Sequence, residues 1–130
     1  MSSNTQKNTV VLLRSLKIKT GSVKRLVKDR TVYLDEVIHQ QKRIEILRTQ
    51  DVHEADIRKQ NEVLEETVQM IPHMERRIKD VMEDLENLVL SVESELGSTQ
   101  EFADARAAVA DARLVVAPAP ASVGQSGDEE

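Results

Sequence analysis

Three histidines, His39, His53 and His73, are the first residues to test for chemistry. A metal site on a helix wants two ligands a turn apart on one face, and no histidine pair stands at i and i+4 here. The chain has no cysteine, which removes zinc-cysteine sites, disulfides and thiol nucleophiles together. No glycine-rich phosphate loop is present, and the serines lack a base and an oxyanion arrangement around them. These residue types point away from an enzyme, and no metal or cofactor is expected.

Charge is the more informative signal. Between residues 14 and 30 lie Arg14, Lys17, Lys19, Lys24, Arg25, Lys28 and Arg30, opposed only by Asp29. Lys17, Lys24 and Lys28 fall at i, i+7 and i+11, so on a helix they share one flank. Nucleic acid would be the obvious partner for such a row. Against it stand the net charge of -5 and the presence of only one Tyr (Tyr33) and one Phe (Phe102) for base stacking. No nucleic acid is expected, which leaves a protein-binding face or a solvated helix face. Residues 1–60 hold 13 Lys/Arg against 7 Asp/Glu, and residues 61–130 hold 5 against 16. In an antiparallel bundle the two halves lie side by side, so part of this asymmetry is internal complementarity.

The elements that must position these residues are long helices. A chain of 130 residues has room for one core, and 2% aromatic residues with 32% charged residues suit aliphatic helical seams better than a sandwich or barrel. From Ile57, apolar residues recur every seventh position: Ile57, Leu64, Ile71, Ile78, Leu85 and Val92. A second row runs through Val68, Met74, Val81 or Met82, Leu88 or Val89, and Leu96, with Gln60 and Thr67 as polar members. These are the two apolar positions of a heptad. Leu64 and Ile78 are expected in the seam.

Pro72 interrupts neither row. A reverse turn there would reset the phase, whereas Ile71 to Ile78 keeps the seven-residue step, so the spacing predicts one helix from about 52 to 96, bent at Pro72 with the ring on its outer face. At ~1.5 Å per residue such a rod is on the order of 65 Å long and must pack against a partner. Upstream, Leu16, Val23, Arg30, Val37 and Ile44 form one row of that partner. Leu26, Tyr33, Gln40 and Leu47, flanked by Val27 and Leu34, form the other. This predicts a first helix over about 9–50, with Gly21 inside it.

"DVHE" at 51–54 has the spacing of a capping box, with Asp51 as cap and Glu54 reaching back. Gly97 suits the left-handed residue that closes a helix, and "STQE" at 98–101 reads as a second capping box. A third helix over about 99–116 then carries Phe102, Ala105, Val109, Ala112 and Val116 at helical spacing. Pro118 stops it. The predicted organisation is a disordered lead over 1–8, an all-α antiparallel three-helix bundle over 9–116, and a disordered Pro/Gly/Ser/Ala-rich tail over 117–130. "VVLL" at 10–13 is too short for a membrane span or a signal-peptide core, so a cytosolic protein without a membrane partner is expected.

Two segments, "LKIKTGSVKRLVKD" at 16–29 and "DIRKQNEVLEETVQMIPHMERRI" at 56–78, resemble the tubulin-binding cofactor A family of tubulin-specific chaperones. "EFADARAAVADA" at 101–112 is similar to that family's third-helix stretch. The resemblance covers about residues 14–115. It implies a slender three-helix bundle that captures β-tubulin after release from the cytosolic chaperonin and holds it for assembly with α-tubulin. It also implies action in the cytoplasm and at the cytoskeleton, without a nucleotide, with other tubulin-folding cofactors as further partners. A monomer is expected, a dimer being the other state in the family. Two surfaces stand out for the partner: Lys17, Lys24 and Lys28 on the first helix, and Glu65, Gln69, Pro72 and Arg76 on the outward face of the second. The competing reading is a coiled-coil tether or scaffold without tubulin specificity.

Overall fold

The computed structural model describes residues 2–116, with side chains from Gln6 onward. These residues form three α-helices and no strand: α1 (Ser2–Arg48), α2 (Glu54–Leu96) and α3 (Gln100–Val115). Each helix packs against the other two. The links are short, so consecutive helices run antiparallel, and α3 lies parallel to α1 along the half of the rod that carries both termini of the bundle.

The heptad rows account for the core. Leu16 and Val23 of α1 are fully buried, as are Ile78 and Leu85 of α2, and Met82, Val89, Val92 and Leu96 join them. Phe102, Ala105, Ala108, Val109 and Ala112 complete one cluster from α3, whose alanines let it approach the hairpin closely. Ile44 and Ile57 are also buried but lie outside that cluster, near the turn between α1 and α2. Burial weakens between these two regions: Leu64, Ile71 and Met74 are half-buried, and Val68, expected in the second row, is 43% exposed. The reason is coverage. α3 is only 16 residues long, so most of the hairpin has two helices to share its seam rather than three.

Pro72 lies inside α2 and is exposed, as the unbroken heptad phase requires. It cannot donate to the carbonyl of Val68, and its ring crowds that group. Pro72→Ala is therefore expected to be neutral or stabilising, by less than ~3 kcal/mol, with an undiminished far-ultraviolet circular dichroism signal. A loss of helicity would mean that the proline makes a turn.

Four local expectations are corrected. The lead over 1–8, expected to be disordered, is helical from Ser2. No Gly or Pro precedes Gly21, and extending an existing helix is far easier than nucleating one. At the first link, backbone bonds from Thr49 to Ile46, Gln50 to Leu47 and Val52 to Gln50 carry the chain round, which leaves Asp51 in the turn. The N-cap is His53, without a side-chain cap bond, and Glu54 and Asp56 supply negative charge to the first turn instead.

At the second link, Gly97 is not left-handed. Its φ of -60° and ψ of -18° are right-handed, its N–H donates to Glu93 O, and a Cβ would lie 2.6 Å from that oxygen. Close approach explains the glycine here. The cap of α3 is Thr99 rather than Ser98: Thr99 Oγ1 accepts from Phe102 N at 3.1 Å and donates to Leu96 O at 2.7 Å, tying both helix ends to one hydroxyl. The expected tail over 117–130 lies outside the described residues.

Candidate partner-binding surface

Lys17, Lys24 and Lys28 are all exposed on one flank of α1. That flank is not an open face. Lys17 and Lys24 line a groove with Thr20, Gly21, Gln100, Glu101 and Asp104, so carboxylates of α3 stand opposite them. One turn on, Lys24 and Lys28 share a smaller groove with Val23, Val27, Ala108 and Asp111. The row is thus a mixed-charge border between α1 and α3.

Two other basic residues of the run pair with carboxylates of α2. Lys19 Nζ lies 2.5 Å from Asp84 Oδ2, and Arg30 holds Glu75 through Nε at 2.8 Å and Nη2 at 2.7 Å. The second pair is half-buried, which explains a charged residue in the heptad row of α1. Arg113 of α3 pairs with Glu86 of α2. The Lys19–Asp84 and Arg30–Glu75 contacts, between the basic and the acidic half, bear out the internal part of the charge asymmetry. Lys17, Lys24 and Lys28 face solvent on the α3 flank, as Arg14 and Arg25 do elsewhere on α1.

Glu65, Gln69, Pro72 and Arg76 are exposed along one face of α2. Arg76 Nη2 approaches His73 Nδ1 at 2.6 Å, so a ring nitrogen fixes this guanidinium at the edge of the face. The ion pairs Lys19–Asp84 and Arg30–Glu75 set the antiparallel register and bring Lys28 level with the Arg76 turn. The two candidate surfaces therefore do not merge: the lysines flank α3, and the α2 group begins where α3 ends. His39 and His53 are exposed and remote from both. Among the described residues no group of three or more His, Cys, Asp or Glu side chains could hold a metal ion, and no helix is long and apolar enough to cross a membrane.

Sequence reasoning misses the exposed apolar residues near this boundary, Ile38 at 48% and Met70 at 42%, and places Val68 in the seam. A heptad marks a face without saying how far a third helix covers it.

The sequence pattern of the tubulin binding cofactor A family matches residues 11–109, from the first turns of α1 into α3. The chain belongs to the tubulin binding cofactor A family. Human tubulin-specific chaperone A, a curated member, is 39% identical over 102 residues, spanning 78% of this chain and 94% of the human protein. Among solved structures, the tubulin folding cofactor A of Arabidopsis thaliana superposes with a TM-score of 0.74 at 30% identity, covering 80% of this chain and 97% of that one. A structure described as a β-tubulin binding post-chaperonin cofactor superposes at 0.66 with 30% identity, covering 80% and 99%. The cofactor A match includes the lysine row and the α2 face, and stops short of Val115.

Gly21 sits in that matched region, between Lys17 and Lys24. A Cβ built there meets nothing within 4 Å, so the fold does not require a glycine. Gly21→Ala is expected to stabilise the chain by roughly 0.5–1 kcal/mol, read as a raised melting temperature. A destabilised variant would show that α3 closes on α1 more tightly than described.

Proposed function

We propose that this chain is a tubulin-folding chaperone that captures and stabilises β-tubulin after its release from the cytosolic chaperonin, before the heterodimer assembles. Its membership of the tubulin binding cofactor A family carries the reading, together with the relative described as a β-tubulin binding post-chaperonin cofactor. The action is holding rather than catalysis. A rod with charged borders and a partly covered seam offers a long contact surface, and specificity comes from many modest contacts instead of one pocket. Lys17, Lys24 and Lys28 supply charge complementarity toward an acidic client, and Glu65, Gln69, Pro72 and Arg76 supply the adjoining contact on α2. The protein works in the cytoplasm as a monomer of 14.6 kDa. Purified full-length chain, immobilised and offered chaperonin-released β-tubulin, is expected to retain it without added nucleotide. Failure to retain β-tubulin under conditions in which human tubulin-specific chaperone A does so would sink the reading.

A further inference from the structure

The groove that α3 fills does not stop where α3 stops. On α2, Met82 and Val89 are 4% and 7% exposed within the core cluster that includes α3. The same seven-residue row continues back through Glu75 to Val68, which is 43% exposed. Glu86, which lines the contact of α2 with α3, lies two heptads beyond Pro72. On α1, Lys24 and Val27 border α3, and one or two heptads further the corresponding positions are Leu34, half-buried, and Ile38, 48% exposed. Past Val115 the α3 side of the hairpin is therefore lined by Leu34, Ile38, Val68 and Ile71, with Pro72 on its rim. It continues the line of the α3 seat, with the Arg30–Glu75 ion pair between the two stretches.

We propose that this strip is the seat for an amphipathic helix of the client, docked in line with α3. The proposal rests on the reading of the client as β-tubulin. Continuity with the α3 interface specifies the occupant: rows repeating every seven residues on two antiparallel helices accept one helix with an apolar stripe at three- and four-residue spacing, as Phe102, Ala105, Val109 and Ala112 provide above. The apolar stretch of the seat, Leu34 to Ile38 on α1 with Val68 and Ile71 on α2, is on the order of 10 Å long, about two helical turns, and Gln41, Glu45 and Glu65 continue the same rows as a polar border. The chain's own continuation is a poor match, because the sequence over 117–130 has no large apolar residue but Val123 and so no apolar stripe at three- and four-residue spacing.

The test uses the full chain. Ile38→Asp combined with Val68→Asp puts two carboxylates into the seat at exposed positions, and should weaken β-tubulin capture roughly tenfold or more. Ile18→Asn combined with Ile46→Asn, uncharged changes at positions 62% and 56% exposed on another face of α1, should leave capture unchanged. Because the chain has no cysteine, Val68→Cys can carry a single environment-sensitive dye, whose emission should shift to the blue only when β-tubulin is added. That dye decides the matter if the double aspartate variant loses helical signal. Capture unaffected by the seat variant overturns the proposal while the β-tubulin reading stands. A dye shielded in the free chain at every concentration means that residues 117–130 fill the seat, and shielding that grows with concentration means a second copy does; each overturns the proposal. Wild-type chain that fails to retain β-tubulin overturns both.

Discussion

Ile78→Ala is expected to lower the melting temperature by on the order of 10–20 °C. Ile78 is fully buried in the cluster that joins all three helices, at the level where α3 ends. Removing its branched side chain forfeits the transfer free energy of three carbons and leaves a cavity that rigid neighbouring helices cannot close, roughly 2–5 kcal/mol together. Against a total of about 5–15 kcal/mol for a domain of this kind, that is a large fraction. Leu64 occupies the same heptad row two repeats earlier but is only half-buried, so Leu64→Ala should cost clearly less. Thermal unfolding of the two variants side by side checks the arrangement. Equal losses would mean that the hairpin is as well covered beyond α3 as beneath it.

Reversing Lys17, Lys24 and Lys28 to Glu should slow β-tubulin association by roughly tenfold at low salt, with the difference shrinking as ionic strength rises. Long-range attraction between a basic row and an acidic client acts on the encounter rate. The bundle adds a complication of its own, because Glu101, Asp104 and Asp111 of α3 border the same grooves. Three new carboxylates would repel α3 as well as the client and lower stability. The neutral set, Lys17→Gln, Lys24→Gln and Lys28→Gln, removes the attraction without that repulsion. It should weaken capture at low salt to a smaller extent while leaving the melting temperature near wild type. Association rates measured against salt for both sets separate the two effects. If the neutral set captures β-tubulin at the wild-type rate in low salt, the row only solvates α1 and balances α3.

Much of the architecture is legible in the order of residues alone. The uninterrupted step from Ile71 to Ile78 places Pro72 inside a helix, and the paired rows in residues 16–47 and 57–96 require an antiparallel hairpin. Residue order in the segments 16–29 and 56–78 points to the family. What stays hidden has physical causes. Asp51 has the chemistry of a cap, but the turn consumes it before the helix begins at Glu54. Gly97 suits a left-handed closure by residue type, whereas the need is for space beside Glu93 O. Seam membership of Val68 follows from its spacing, yet spacing reports direction and not what lies overhead. Lys17, Lys24 and Lys28 share a flank as expected, and only in three dimensions do α3 carboxylates come to border it.

The end of α3 at Val115 also divides the rod energetically. Amides buried beneath the three-helix part, around Leu16, Val23, Leu85 and Val92, are freed only when the whole bundle comes apart. Those on either side of the Thr49–His53 link are held by one neighbouring helix, with Ile44 and Ile57 as the buried clasp near the tip. Opening that end requires little more than releasing the clasp, so hydrogen exchange there should proceed by local separation of α1 and α2 while the far end stays closed. The linked end of the rod is thus its thermodynamically softer end, and anything docked across the hairpin there adds the third contact that the described helices do not supply.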